Sequence, residues 1–280
     1  MAHTITIVVD NSVIPSSGPY RAEHGFAALL ELDGKRILVD TGQSDAVVHN
    51  LGVLGLHCRE LDAVVLSHGH YDHTGGLLAV LQQRKKPLPV YGHASIFAPH
   101  YSAKGDALTY VGIPFTKEAL TANGADWRLM DEATEIFPGL WFSASIPRES
   151  GFEIGDTRLV TTDNCGCCVP DPLADDSALF YSSPKGLTVI SGCAHSGFVN
   201  TVRHGCGITG AKRMRGWIGG THLGPVAPEQ LNLTQQFIEG QQPDFIATGH
   251  CTGFRMMAKL HLQLGEKFIP AFIGTTISLE

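Results

Sequence analysis

Hydrophobic segments of strand length dominate the first forty positions of the chain, and the first of them alternates with polar residues. "TITIVVD", "FAALLEL" and "RILVDTG" are the strand-like segments. The last two are joined by Asp33-Gly34, a dipeptide that favours a tight hairpin because both central residues accept positive φ. A second hairpin is predicted where Pro184-Lys185-Gly186 separates "SALFYSS" from "GLTVISG".

Helical and strand-like segments interleave in the rest of the chain. Helices are predicted around 44–54 and over "GGLLAVLQQRKK", "APEQLNLTQQFIEG" and "FRMMAKLHLQLG". Further strands are predicted over "LDAVVLS" (61–67), "PLPVYGH", "RGWIGGTH", "DFIATGH" and "KFIPAFIGTTISL". This order favours two packed sheets with helices outside. We expect one domain over residues 1–280, in which the less regular region 94–135 is an insertion or a cap.

Charge and hydropathy exclude several classes of function. The net charge of −7 argues against a nucleic-acid-binding surface, which needs a basic stripe. No uncharged apolar run approaches the ~18 residues of a membrane span, and the N-terminus has no basic segment before a cleavage site. We therefore expect a cytoplasmic protein without nucleic-acid or membrane partners, and leave homo-oligomer formation open. Its seven cysteines, an odd number, favour free thiols or metal ligands over disulfides.

The motif "SHGHYDHTGG" carries the strongest chemical signal. It places His68, His70, Asp72 and His73 directly after the apolar strand 61–67. His68 and His70 alternate off the end of an extended segment and can face one cation, while Asp72 and His73 can reach a second. Imidazole and carboxylate ligands suit zinc, iron or manganese. A polar loop rich in histidine by chance is the weaker interpretation, and we expect one or two divalent ions per chain, zinc first.

This motif and its surroundings resemble the metallo-β-lactamase superfamily. "LSHGHYDHTGGL" is similar to the first metal motif of that superfamily, and "FAALLELDGKRILVDTG" to its hairpin ending in Asp-Thr-Gly. "IPRESGFE", "VPDPLADDSALF", "SGCAHSGFVNTV" and "GHCTGFR" resemble its dihydropteroate-synthase-like branch. The resemblance implies an αββα sandwich of two mixed sheets with a metal site at one edge. It also implies, for one member, the joining of a dihydropterin diphosphate to a ribofuranosylaminobenzene phosphate with release of pyrophosphate.

The resemblance also suggests further metal ligands, with one departure from the superfamily pattern. Cys193 stands where a bridging aspartate is usual, and His250 stands where the last metal histidine is usual. The expected third-motif histidine is missing from "SASIPRESGFE". We expect His195 to supply a ligand in its place, with a buried structural histidine as the alternative. Asp40 matches an aspartate that lies near the metal loop in the superfamily. The resemblance therefore implies that Asp40 orients a ligand histidine.

Hairpin pairing brings other candidates to the same edge. His24 begins the strand that pairs with the one ending at Asp40, and Asp176 precedes the strand that pairs with "GLTVISG". We expect His24 and Arg148 to bind substrate, the latter because a guanidinium pairs with phosphate or carboxylate. We expect Asp72, Asp176 and His222 to take part in the reaction. For His222 the alternative is a role in orienting a ligand, and for Arg148 a surface arginine.

These predictions favour a metal-dependent enzyme acting on a phosphorylated or otherwise anionic small molecule, either a pterin-type transferase or a hydrolase. The ligand set is the same for both reactions. The alternative is a metal-binding redox or sensor protein that uses the loop with Cys165, Cys167 and Cys168, or a catalytically silent member. Three cysteines are one short of a closed four-thiolate site, so a reduced loop over the active site is the preferred interpretation of "NCGCC".

Overall fold

The strands and helices alternate along the chain much as the sequence pattern indicates. A computed structural model describes residues 3–15, 18–163 and 165–280. The strands are β1 (Thr4–Val9), β2 (Ala27–Leu32), β3 (Lys35–Val39), β4 (Ala63–Val65), β5 (Leu88–His93), β6 (Tyr101–Lys104), β7 (Ala107–Tyr110), β8 (Ala125–Met130), β9 (Thr134–Phe137), β10 (Leu140–Phe142), β11 (Leu159–Thr162), β12 (Cys168–Pro170), β13 (Ala178–Ser183), β14 (Gly186–Ser191), β15 (Met214–Gly219), β16 (Phe245–Thr248), β17 (Phe268–Pro270) and β18 (Thr276–Ser278). The α-helices are α1 (Ala46–Val53), α2 (Tyr71–Thr74), α3 (Leu77–Arg84), α4 (Lys117–Ala122), α5 (Phe198–Thr209), α6 (Pro228–Gln241) and α7 (Phe254–Leu264). Short 3₁₀ turns span Cys58–Glu60, His250–Thr252 and Gly265–Lys267.

Both predicted hairpins form. Leu32 pairs with Lys35, so Asp33 and Gly34 make a two-residue turn, and both have positive φ (49° and 79°). This is the conformation that Asp-Gly favours. In the second hairpin Ser183 pairs with Gly186 across the turn.

Two seven-stranded mixed sheets make up most of the fold. The first has the order β18-β1-β2-β3-β4-β5-β8 and the second the order β17-β16-β15-β14-β13-β10-β9. In each sheet an antiparallel half meets a parallel half: β3 and β4 are parallel in the first, β14 and β15 in the second. The parallel strands need crossover connections, which the helices supply.

The sheets pack face to face and helices cover their outer faces. One buried apolar cluster joins inward residues of both sheets, including Phe26 and Phe142. A second lies between the first sheet and helices α1, α3 and α4, and includes Val47 and Leu120. A third lies between the second sheet and helices α5, α6 and α7, and includes Phe198 and Leu260. The predicted αββα sandwich is therefore confirmed.

A four-stranded antiparallel sheet, β12-β11-β6-β7, lies apart from the two large ones. The region 94–135 divides between the layers: β6 and β7 belong to this small sheet, α4 packs on the first large sheet, and β8 is its edge strand. We propose that the small sheet is the capping part, because Ser102, Val111 and Leu159 from its neighbourhood line the cavity described below.

The prediction of one last strand over "KFIPAFIGTTISL" is wrong. The segment makes two strands in different sheets: β17 pairs in parallel with β16, and β18 pairs antiparallel with β1. Gly274 lies between them with a φ of 93°, which turns the chain from one sheet to the other. Across the described ranges, every helix is too short or too polar to cross a membrane.

Candidate metal centre

Four strands of the two sheets end at the same edge of the sandwich, and the predicted ligands follow those ends. Asp40 follows β3, and the loop with His68 and His70 follows β4. Cys193 and His195 follow β14, while His250 follows β16. Ligand sites of α/β sheets are found at the carboxyl ends of parallel strands. The candidate ligands lie there because each of them follows the last residue of a strand in the sequence.

Asp40 is fully buried and orients two histidines. Its Oδ1 accepts the backbone N–H of Ser67 at 2.7 Å, and its Oδ2 accepts the Ser67 hydroxyl and His73 Nδ1, each at 2.7 Å. Because the Ser67 hydroxyl proton goes to Asp40, the contact of 2.9 Å between Ser67 Oγ and His68 Nδ1 requires the imidazole to donate. The Nδ1 protons of His68 and His73 are thereby assigned, so the Nε2 atom of each neutral ring keeps its lone pair. In this structure His68 Nε2 accepts from His70 Nδ1 at 3.0 Å.

His250 is held in the same way from a different element. Its Nδ1 donates to Asn11 Oδ1 at 3.0 Å, and Asp10 accepts its backbone N–H at 2.7 Å. Its Nε2 lies 3.2 Å from His73 Nε2 and 3.3 Å from Asp72 Oδ2. Nitrogen atoms with free lone pairs therefore meet a carboxylate oxygen in the interior, an arrangement that a divalent cation would satisfy.

His70 and His195 supply the strongest sign of a metal-binding site. Both are buried, and His70 Nε2 and both ring nitrogens of His195 have no hydrogen-bond partner among the described residues. A buried polar atom without a partner costs about 1–3 kcal/mol. The two rings and His68 place one ligand nitrogen each within 4.8 Å of one another. The residues therefore fit a metal ion.

Cys193 has histidines of the cluster as its spatial neighbours. Its Sγ is 3.3 Å from His73 Nε2. Among the described residues, candidate ligand atoms within 4.8 Å of one another form five overlapping sets: His68–His70–His195, His68–His73–Cys193, Cys193–His195–His222, Cys193–His250–Cys251 and His24–Asp72–His250. Three of the five contain Cys193, so a thiolate at this position could contact more than one cation.

Burial keeps three imidazoles neutral. It lowers the pKa values of His68 and His195 well below the ordinary value and that of His70 to about 4. Neutral imidazole is the form that binds metals. For His73 burial acts in the same direction, but Asp72 and Asp40 outweigh it and raise the pKa to about 9. A metal must therefore displace a proton from His73, which makes binding dependent on pH.

His222 lies at the rim of the cluster beside an acidic group. Its Nε2 is 3.3 Å from Asp156 Oδ2, and its ring centroid is 4.3 Å from that of His195. Burial would lower the pKa of His222, but Asp156 and Cys251 raise it to about 9. An imidazolium beside the ligand cluster can donate a proton, which is the role predicted for it.

Backbone strain accompanies these positions. Asp40, Ala194, His222 and His250 all have positive φ values, between 46° and 57°. Gly192 has no room for a β-carbon, which would overlap Ser67 Oγ and Asp40 Oδ2. Strained backbone of this kind persists where the surrounding structure requires one placement of the side chains, and it is concentrated at functional sites.

Three predicted residues lie beside the cluster in supporting positions. Both carboxylate oxygens of Asp176 accept backbone N–H groups, from His195 at 3.1 Å and Ser196 at 2.7 Å. Asp176 therefore holds the loop, and it is not among the residues that line the cavity described below. Its part in the reaction stays a prediction. Arg148 is exposed and donates to the carbonyl of His195 at 2.8 Å. His24 is half-exposed, with Nε2 3.2 Å from Asp72 Oδ2.

Sequence reasoning missed several neighbours of the cluster. Cys251, which directly follows His250, accepts the backbone N–H of His222 at 3.2 Å. Its position in "GHCTG" is the signal that could have identified it. Asn11 and Ser67 carried no such signal, because amides and hydroxyls at strand ends are common. Cys165, Cys167 and Cys168 are exposed thiols, and in the described part of the chain they belong to none of the five sets of candidate ligand atoms.

A cavity of about 310 Å³ opens on the cluster. His70, Asp72, His195, His222 and His250 line its inner side. Arg158 lies at the cavity and pairs with Asp156 at 2.6 Å, while more than half of its side chain stays exposed. The volume of the cavity fits a small molecule.

A two-sheet sandwich with buried histidines at one edge defines a class of metal-binding α/β proteins. Residues 20–162 match the model of the metallo-beta-lactamase superfamily, and the chain belongs to that superfamily. It is 30% identical over 269 residues to the 7,8-dihydropterin-6-methyl-4-(beta-D-ribofuranosyl)-aminobenzene-5′-phosphate synthase of Methanocaldococcus jannaschii, covering 93% of this chain and 92% of that protein. The predicted family resemblance is therefore confirmed.

Two other relatives extend over the whole chain. An uncharacterised protein of the same organism is 33% identical over 276 residues, which cover 98% of this chain and 100% of the relative. The crystal structure of Tm1679, described as a metal-dependent hydrolase of the beta-lactamase superfamily, has a TM-score of 0.85 at 23% identity and covers 99% of both chains. That structural likeness shows the fold.

Proposed function

We propose that the chain is a metal-dependent enzyme that transfers a pterin-type group between phosphorylated small molecules and releases pyrophosphate. The observation that carries this proposal is the set of buried imidazoles with free ring nitrogens at the base of a cavity open to solvent. The relative named as a phosphorylated-pterin synthase, similar over almost the whole chain, supports the choice of substrate.

The proposed metal ligands are His68, His70, Asp72, His73, Cys193, His195 and His250, and Asp40 orients His68 and His73. One or two zinc ions would neutralise phosphate charge and polarise a phosphoryl oxygen. Iron and manganese are the alternatives, since all three metals accept imidazole and carboxylate ligands.

The other residues of the cavity bind substrate or move protons. His222 carries a proton on Nε2, the ring nitrogen that faces Asp156. We propose that His222 donates a proton to the departing group. Arg158, in the cavity wall, offers a guanidinium group to phosphate oxygens, and we assign the same role to the exposed Arg148 beside the cluster. In the transfer, the bond from the pterin methylene carbon to the diphosphate oxygen breaks, pyrophosphate keeps the electron pair, and the acceptor forms the new bond with loss of one proton.

The proposed reaction is tested by supplying a dihydropterin diphosphate with and without a ribofuranosylaminobenzene phosphate acceptor. Pyrophosphate release that requires the acceptor supports a transferase. Release without the acceptor, with ¹⁸O from labelled water in the pterin alcohol or the pyrophosphate, identifies a hydrolase and contradicts the transfer proposal.

The site is tested by a double substitution, His68→Ala with His70→Ala. We expect loss of bound metal and of pyrophosphate release together, because each ring places one ligand nitrogen in the cluster. The matched control is His261→Ala, an exposed histidine on α7, which should retain both. Turnover at the wild-type rate in the double variant would place the reaction elsewhere.

A further inference from the structure

A second cavity, of about 450 Å³, lies beside the one that opens on the cluster. It lies between the loop 151–157 and the start of α6, and it shares Asp156 and Pro225 with the first cavity. Asp156 therefore stands at the junction of the two, hydrogen-bonded to His222. A molecule in the second cavity would pass this carboxylate to reach the cluster of candidate metal ligands.

The walls of the second cavity are mainly apolar. Phe152, Ile154, Pro225 and Val226 line it, and Ile154 is 77% exposed. Sites for organic ligands combine such walls with a few polar groups that fix orientation.

Gln230 is one of the polar groups in this wall, with Asp156, Thr157 and Glu229. It is only 9% exposed, yet none of the described residues forms a hydrogen bond with its side-chain amide. Neither amide atom is among the buried side-chain atoms that lack a partner, so both are accessible from the cavity and can bind a ligand there. Glu229, its exposed neighbour at the start of α6, adds a carboxylate to the same wall.

We infer that this second cavity binds the flat heteroaromatic ring of the substrate through an amide-like edge, with Gln230 as the residue that recognises it. A side-chain amide offers one donor and one acceptor side by side, which match a ring C=O next to a ring N–H. The carboxylate of Glu229 accepts from an exocyclic amino group. A 2-amino-4-oxopyrimidine edge has all these groups, and the apolar walls cover the faces of the ring.

The inference rests on the proposed function, because the ring is placed so that its substituent extends past Asp156 to the ligand cluster. Beyond the proposed function, the inference gives the position of the substrate ring and the residue that recognises it. Gln230 is a binding residue in this assignment, so its effect should fall on binding and KM and much less on kcat.

The test is a binding titration of the full chain with 2-amino-4-oxopteridine, followed by the fluorescence of the ligand, in a chelator-treated and a zinc-loaded sample. We expect Gln230→Leu to weaken binding about tenfold, the effect of one or two net hydrogen bonds. The matched control, Gln236→Leu on the exposed side of α6, should bind as the wild type does. 2,4-Dioxopteridine, which lacks the amino group, should bind more weakly to the wild type, and guanine should compete with the pteridine.

Ala227→Trp provides a second variant that does not disturb the interior. Ala227 is exposed and lines the cavity, so an indole there should block the ligand without loss of folding, which circular dichroism verifies. Absence of pteridine binding by the wild type, or equal binding by all variants, overturns the inference. The His68→Ala, His70→Ala double variant separates the two proposals: it should lose metal and turnover but retain pteridine binding, whereas failure of the proposed function alone would leave the effect of Gln230→Leu intact.

Discussion

Substitution of Asp40 by asparagine tests how the buried network prepares the metal ligands. The carboxylate accepts from Ser67 N, Ser67 Oγ and His73 Nδ1, each at 2.7 Å. Asparagine has nearly the same shape and tolerates the φ of 57° found at this position. The substitution Asp40→Asn therefore changes charge and donor pattern while the backbone is retained.

The magnitude follows from the tautomer of His73. An amide N–H₂ facing His73 can only donate, so the ring must accept at Nδ1 and carry its proton on Nε2, where a metal would bind. Loss of a partner of this kind typically weakens metal binding ~10–100-fold, or about 1.4–2.8 kcal/mol. We expect the upper part of that range for Asp40→Asn, because the new tautomer blocks the ligand atom. Stability of the metal-free protein should fall less, since a hydrogen bond to the ring is restored.

The assay is competition for zinc with a chromophoric chelator at neutral pH, accompanied by thermal unfolding of the metal-free protein. Asp33→Asn, at the opposite end of β3's hairpin, is the control, because asparagine suits that turn. It should leave metal affinity unchanged. Zinc affinity within twofold of wild type for Asp40→Asn would refute the assignment of the Nδ1 proton.

Three further variants test the buried His100, the close packing at Gly192 and the cysteine loop. Burial would lower the pKa of His100, but Asp171 and Asp175 raise it to about 10. The raised pKa means that the stabilisation is complete below the unfolded pKa of ~6.5 and is lost as pH rises toward 10. In chelator-treated protein the advantage of wild type over His100→Gln, measured by urea unfolding, should therefore shrink between pH 6 and pH 10; a constant difference would contradict it. Gly192→Ala should destabilise the protein by roughly 1–3 kcal/mol and weaken zinc binding, because a β-carbon overlaps the Asp40–Ser67 pair; unchanged values of both would refute the close packing. The triple change Cys165→Ser, Cys167→Ser, Cys168→Ser should leave metal content unchanged by elemental analysis, and loss of a metal would place a site in that loop.

Local signals in the sequence predicted the parts of the fold that depend on local structure. Asp33-Gly34 predicted its hairpin because the turn needs positive φ at both residues. The histidine-rich loop after β4 was found because its strand is short, apolar and followed at once by ligand-type residues. The two-layer packing followed from the interleaved strands and helices.

The features that sequence reasoning missed depend on contacts between distant segments. The final strand splits because its two halves pair with β16 and β1, which no local pattern reveals. Helix α5 was not predicted, because Gly205 and Gly207 lower helix propensity; Gly205 is required where the helix packs closely on Phe180 and Leu187. The burial of Asp176 under two backbone N–H groups follows from the turn at Ala194, which has a φ of 56°.

The central claim is that the buried imidazoles at the sandwich edge hold divalent metal. The measurement that tests it most directly is anomalous diffraction at the zinc, iron and manganese edges, on crystals of protein purified without chelators. We expect one or two anomalous peaks per chain, bounded by His68, His70, His195 and by Asp72, His73, His250. No peak at this edge, or a peak only at Cys165–Cys168, would contradict it.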